Sequence, residues 1–140
     1  MIQRIQTVYL FAVVVLQSVL LSSSIAKYTD LQGVEHVYAM TDFVAMAILT
    51  SLTAIIPAIS LFVYRKRIVQ ARLNIYNSII LTALQIFILY YVISIMNQIE
   101  LFKFSVPSVF PVISLIFSIL AIRKIFKDDL LVKSLNRIRK

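Results

Sequence analysis

Four stretches of the chain are almost wholly apolar, and its charged residues crowd into the gaps between them. The runs cover about residues 8–26, 43–64, 73–96 and 106–122. A helix rising ~1.5 Å per residue needs about twenty such residues to cross ~30 Å of hydrocarbon, so each run predicts a membrane-spanning helix. The spacers differ in length. Arg65 to Arg72 is short enough to predict a tight antiparallel hairpin of the second and third helices. Lys27 to Thr41 is long enough for a short surface helix, and Asn97 to Ser105 carries Leu101, Phe102 and Phe104, side chains suited to the headgroup region. Pro107 and Pro111 fall in the first turns of the fourth run, where a missing amide hydrogen matters least. Pro57 falls in the middle of the second, where it predicts a kink. The expected fold is all-α: an integral membrane four-helix bundle over residues 1–126, followed by a short basic amphipathic tail over 127–140.

Within the runs, uncharged polar residues recur at helical spacing. Asn74, Ser78, Thr82 and Gln85 follow steps of four, four and three; Thr50 and Thr53 lie on a stripe with Asp42, Met46, Pro57, Ser60 and Tyr64; the first run adds Gln17 and Ser18. These faces are expected to turn inward and hydrogen-bond between helices, each contact contributing about 0.6 to 2 kcal/mol. A pathway for a polar solute would use the same residues. No charged residue lies inside a run, which removes the usual mark of a pump or proton relay. Asp42, at the outer end of the second run, is expected to cap that helix.

Composition fits a chain solvated by lipid. Hydrophobic residues make up 61% of the 140 and charged residues only 14%, with a mean hydropathy of +0.93. That is too little polar surface to cover a water-soluble domain. Cysteine is absent, which excludes a disulfide framework, a thiolate metal site and a redox pair. The net charge of +8 is informative only once it is placed. Arg4, Arg65, Lys66, Arg67, Arg72, Arg123, Lys124, Lys127, Lys133, Arg137, Arg139 and Lys140 fall on one side of the four-span arrangement, and only Lys27 and Lys103 on the other. Asp30, Glu35, Asp42 and Glu100 share the side of those two lysines, while Asp128 and Asp129 lie with the basic tail, so the sides carry formal charges of +10 and −2. Positive loops stay inside, which puts both termini in the cytoplasm. The first segment also has the form of a secretory signal, with Arg4, an apolar stretch and Ser24-Ile25-Ala26 before Lys27. Its apolar run is long enough to span, and an uncleaved helix is expected.

Candidate chemistry is sparse. His36 has no second ligand at metal spacing, and no nucleophile–base order, phosphate-binding glycine loop or H-E-x-x-H occurs. No catalytic, cofactor or metal residues are assigned, and enzyme activity is not expected. In the tail, Asp128 can cap a new helical turn, after which Leu131, Leu135 and Ile138 share one face and Lys133, Arg137 and Lys140 another. Such a helix lies on anionic lipid or docks on an acidic partner.

Three stretches together resemble a known family. They are the opening Met1-Ile-Gln-Arg-Ile-Gln-Thr-Val-Tyr-Leu10, the hairpin Arg67-Ile-Val-Gln70-Ala-Arg72-Leu73 with Asn74 or Asn77, and the ending Lys127-Asp-Asp-Leu-Leu-Val-Lys-Ser-Leu-Asn-Arg137. They resemble the domain-of-unknown-function family 4293, small four-helix inner-membrane proteins of Bacteroidetes-type bacteria. The chain departs from that pattern in a shortened connection before the fourth helix and in Asn136, where an acid is more usual. The resemblance implies a multi-pass protein of a bacterial inner membrane, and it implies no activity. All three stretches lie on the basic side. The expectation is therefore a non-enzymatic accessory or scaffolding subunit of a larger inner-membrane assembly, offering its basic face to anionic lipid, to other membrane proteins or, through the tail, to a ribosome and its RNA in protein export. DNA is not an expected partner. The alternative is a small oligomeric transporter or channel.

Overall fold

The structure is a computed structural model that describes residues 3–29, 35–64, 66–96 and 102–138. In chain order it forms α1 (Gln3–Leu21), β1 (Ser24–Thr29), β2 (Glu35–Ala39), a 3-10 turn (Met40–Asp42), α2 (Val44–Phe62), α3 (Arg67–Met96), β3 (Phe102–Phe104), a second 3-10 turn (Val106–Val109) and α4 (Phe110–Ile138). The α1 and α3 helices each pack against both α2 and α4.

Each helix buries one seam at alternating steps of three and four. The seam reads Gln6, Leu10, Val13, Gln17 and Leu20 in α1, and Met46, Thr50, Thr53, Pro57 and Ser60 in α2. It continues as Gln70, Asn74, Asn77, Leu81, Leu84 and Ile88 in α3, and as Pro111, Ser114, Ser118, Ala121, Ile125 and Asp128 in α4. A repeat averaging 3.5 residues lets neighbouring helices interdigitate along their length. The seams are notably polar, while the opposite faces are not. Gln17, Thr50 and Asn74 are fully buried, whereas Val44 is 72% and Phe62 85% exposed. In water that distribution would be inverted. In lipid the outward apolar face is the solvated one. Three helices are long and apolar enough to cross a membrane, over Val44–Phe62, Arg67–Ser94 and Val106–Val132; the apolar part of α1, Ile5–Leu21, is shorter.

The element bounds correct several expectations. The first helix starts earlier and stops at Leu21, because Ser24 to Thr29 leave it to form a strand. The long connection after it holds a β-hairpin rather than a surface helix, with β1 paired antiparallel to β2 in the register Lys27↔Val37 and Tyr28↔His36. Across β1 from β2, β3 completes a three-stranded sheet of order β2-β1-β3. The physical reason is backbone satisfaction. Two connections that meet at one end of the helices can pair their N–H and C=O groups with each other, and Val37, Tyr28 and Tyr38 favour the extended state. Met40 donates its amide to Ser23 O at 3.2 Å, just before β1, and buried Ser108 donates its hydroxyl to Ile25 O at 2.7 Å, within it, so both 3-10 turns are tied to the start of the central strand. Asp42 does cap, but not α2. Its Oδ2 accepts the Ala39 amide at 2.7 Å and closes the 3-10 turn, while Phe43 is the N-cap position of α2.

The other end is the α2–α3 turn, where Lys66 donates its amide to Val63 O at 3.0 Å. Here too one expectation changes. The tail is not a separate helix capped at Asp128, since α4 runs unbroken from Phe110 to Ile138 with Asp128 buried in it.

Candidate functional site

The seam residues sort by level along the helices. At the sheet end the core is apolar, built of Leu20, Ile25, Met40, Met46, Leu84, Ile88 and Val92. Phe43 and Tyr91 close it with ring centroids 4.2 Å apart, and Tyr38 meets Tyr91 edge-on at 6.0 Å. One level in, Gln17 joins three helices. Its Nε2 donates to Ser114 Oγ at 2.8 Å, and its Oε1 lies 3.1 Å from the Thr53 hydroxyl. That hydroxyl is also 2.8 Å from Thr50 O, so one proton serves two acceptors.

Below this level the polar side chains of α3 take over. Asn74 spends both amide hydrogens, on Ser60 Oγ and on Gln70 O, each at 2.8 Å. The Ser78 hydroxyl reaches Asn74 O at 2.9 Å and lies 3.0 Å from Ser118 Oγ, which links α3 to α4. Asn74 Oδ1 and both polar atoms of Asn77 are buried with no partner among the described residues, and so is Gln85 Oε1. An unpaired buried polar atom costs about 1–3 kcal/mol.

At the turn end, three segments distant in sequence meet. Gln6 Nε2 donates to Asp128 Oδ2 at 3.2 Å, and Arg67 Nη1 donates to the Asp128 carbonyl at 3.2 Å. Beside them opens a groove of about 510 Å³, lined by Lys66, Arg67, Ile68, Val69, Asp129 and Val132. It carries two cations, one carboxylate and three aliphatic side chains.

The residues of the expected inward stripe lie at different depths in the structure. Gln17, Thr50, Thr53 and Asn74 are fully buried, and Ser78 is half-buried and bridging. Thr82 is corrected: it is exposed and returns its hydroxyl to Ser78 O at 2.9 Å on its own helix. Steps of four, four and three drift off a seam that repeats every 3.5 residues, and Asn77 rather than Thr82 continues it. Thr50 also bonds within its helix, to Met46 O at 2.7 Å. Gln85 is half-buried and bridges nothing among the described residues. Ser18, next to Gln17, is exposed and bonds Val14 O. Sequence reading missed Gln6, Gln70, Ser114, Ser118 and the burial of Asp128. The spacing of Ser114, Ser118, Ala121, Ile125 and Asp128 was the available signal.

Of the basic residues, Lys66, Arg72, Arg123 and Lys127 are exposed, and Arg67 and Lys124 are half-buried. Arg4, Lys133 and Arg137 lie on the helical backbone of α1 and α4, and Arg65, Arg139 and Lys140 lie outside the described residues. The contacts among Gln6, Arg67 and Asp128 bring the start of α1, the start of α3 and the far part of α4 to one end.

Among curated proteins and among solved structures, nothing matches the chain. A family model does match, over residues 2–138, and its description is a domain of unknown function (DUF4293). The chain belongs to that family.

Proposed function

For a family without an assigned activity, we propose that this member is a non-enzymatic accessory or scaffolding subunit of a larger assembly in a bacterial inner membrane. It crosses four times as a closed bundle, with both termini and the α2–α3 turn in the cytoplasm, and offers the basic end to a partner. The observation that carries this reading is the meeting of Gln6, Arg67 and Asp128, one from each of the three segments that hold the basic residues. The unbroken α4 supports it, because the helix continues the span and extends Arg123, Lys124 and Lys127 beyond it as one lever. Exposed Lys66, Arg72, Arg123 and Lys127 contribute about 1 kcal/mol each near an anionic surface, an attraction that salt weakens. Candidate partners are other inner-membrane proteins and, for the distal part of α4, the RNA surface of a ribosome engaged in export.

The test is crosslinking in native membranes followed by purification in a gentle detergent. A reproducible neighbour is expected, and replacing Arg123, Lys124 and Lys127 with Gln should release it. Recovery of the chain alone under both conditions overturns the reading.

The unpaired Asn77 amide and the unpaired Oδ1 of Asn74 favour the second reading, a small transporter or channel for a polar solute. The apolar layer from Leu20 to Val92 opposes it, since a path along the seams would have to cross that layer. Solute flux through liposomes containing the purified chain decides between them.

A further inference from the structure

The groove at the turn end contains a combination of groups that a generic basic surface does not need. Lys66 and Arg67 stand on the same wall system as Asp129, with Ile68, Val69 and Val132 between and beyond them. The three aliphatic side chains are 54%, 41% and 42% exposed. Its position is fixed relative to the spans. The α2 span ends at Phe62 and the α3 span begins at Arg67, with Lys66 between them, and the bond from Arg67 to the Asp128 carbonyl brings the neighbouring Asp129 to the same level. The groove therefore lies at headgroup depth, where hydrocarbon gives way to water, whichever face of the membrane it is on.

We propose that this groove binds a phospholipid whose headgroup ends in a primary amine, with the phosphate on Lys66 and Arg67, the ammonium on Asp129, and the upper acyl chain along Ile68, Val69 and Val132. The argument is complementarity. Two cations alone would accept any phosphate, but a carboxylate in the same groove repels an anion and rewards a ligand that also carries an N–H-bearing cation. A choline headgroup has no N–H to give. A glycerol headgroup has no cation. The groups retain capacity: Arg67 uses one Nη1 hydrogen on the Asp128 carbonyl and has four donors left. Asp129 also engages a neighbour within the protein, and a carboxylate has about four acceptor sites to share. A volume of about 510 Å³ is of the size that holds small ligands.

This inference rests on the bilayer placement given under Proposed function and not on any protein partner. The experiment is native mass spectrometry of the purified full-length chain with phosphatidylethanolamine, phosphatidylcholine or phosphatidylglycerol of identical acyl chains. Phosphatidylethanolamine should be retained about tenfold better than either of the others, the ratio expected for one additional charge-assisted contact. Lys66→Gln should weaken retention of all three, while Asp129→Asn should abolish only the advantage of phosphatidylethanolamine. Val132→Trp, which fills the groove from an exposed position, should remove binding without touching a charge. Equal retention of the three lipids, or a preference that survives both Asp129→Asn and Val132→Trp, overturns the site. Lipid indifference in a chain that still captures its neighbour defeats the groove alone; preference in a chain recovered without neighbours defeats the accessory reading alone.

Discussion

Gln17 and Asn77 are both fully buried amides, and their surroundings give them opposite energetic roles. Gln17 uses its nitrogen on Ser114 and its oxygen on Thr53, so it bonds α1 to α4 and to α2 at once. Asn77 has neither atom satisfied among the described residues. Replacing Gln17 with Leu removes two interhelical contacts and strands the Ser114 hydroxyl, so Gln17→Leu should lower unfolding stability by about 1–2 kcal/mol. Asn77→Leu keeps the branch at Cγ and removes two unpaired atoms from the core, so it should raise stability by about 1–2 kcal/mol. Both are read by denaturant titration in one detergent. Opposite signs are the expected outcome, and a loss with Asn77→Leu would mean that the amide has a partner in the membrane.

For the elements, the deciding feature is whether a segment's backbone partners are local. Helices α2 and α3 were legible in the apolar runs because a spanning helix satisfies its own backbone and needs only an apolar exterior. The sheet was not legible. β1 pairs with a neighbour a few residues on, but also with β3, whose Phe102 to Phe104 lie far along the chain, and no local period announces a non-local register. Ser24, Ile25 and Ala26 look like the end of a span for the same reason: their apolar or small side chains suit a buried strand equally well. α4 was misdivided on a different ground. Asp128 followed by Asp129 imitates a helix start, yet Gln6 and Arg67 hold Asp128 inside a continuing helix. Amide exchange should therefore show unbroken protection from Ile122 through Leu130, whereas a capped second helix would leave a fast-exchanging gap before Asp128. The seam itself was half legible. Polar steps revealed that faces turn inward, but only the combined polar and apolar pattern with its 3.5-residue repeat selects Asn77 over Thr82.

On the scale of the whole molecule the two ends are chemically unlike, and a difference of this kind is what orients a multi-pass chain in a bilayer. The turn end gathers the basic residues around buried Gln6 and Asp128; the sheet end holds Glu35, Asp42 and Lys27 on an exposed β-hairpin and its following turn. The positive-inside effect acts through short loops, and the α2–α3 turn, with Arg65, Lys66, Arg67 and Arg72 in or beside it, is the shortest connection between spans. It should dominate the orientation. Because the chain has no cysteine, single cysteines report sidedness against a silent background. Val37→Cys, exposed on β2, should react with a membrane-impermeant maleimide in intact spheroplasts, and Lys66→Cys should react only after lysis. Labelling of Lys66→Cys from outside would invert the whole assignment and move the basic end away from any ribosome. Replacing Arg65, Arg67 and Arg72 with Gln in each single-cysteine chain should make both cysteines partly reactive from outside, because the remaining basic residues at the ends of α1 and α4 then orient the chain against a weakened centre. If that variant keeps a single orientation, the terminal charges are sufficient. The α2–α3 turn would then be free of a topological duty, and its cations would be left with ligand binding as their remaining role.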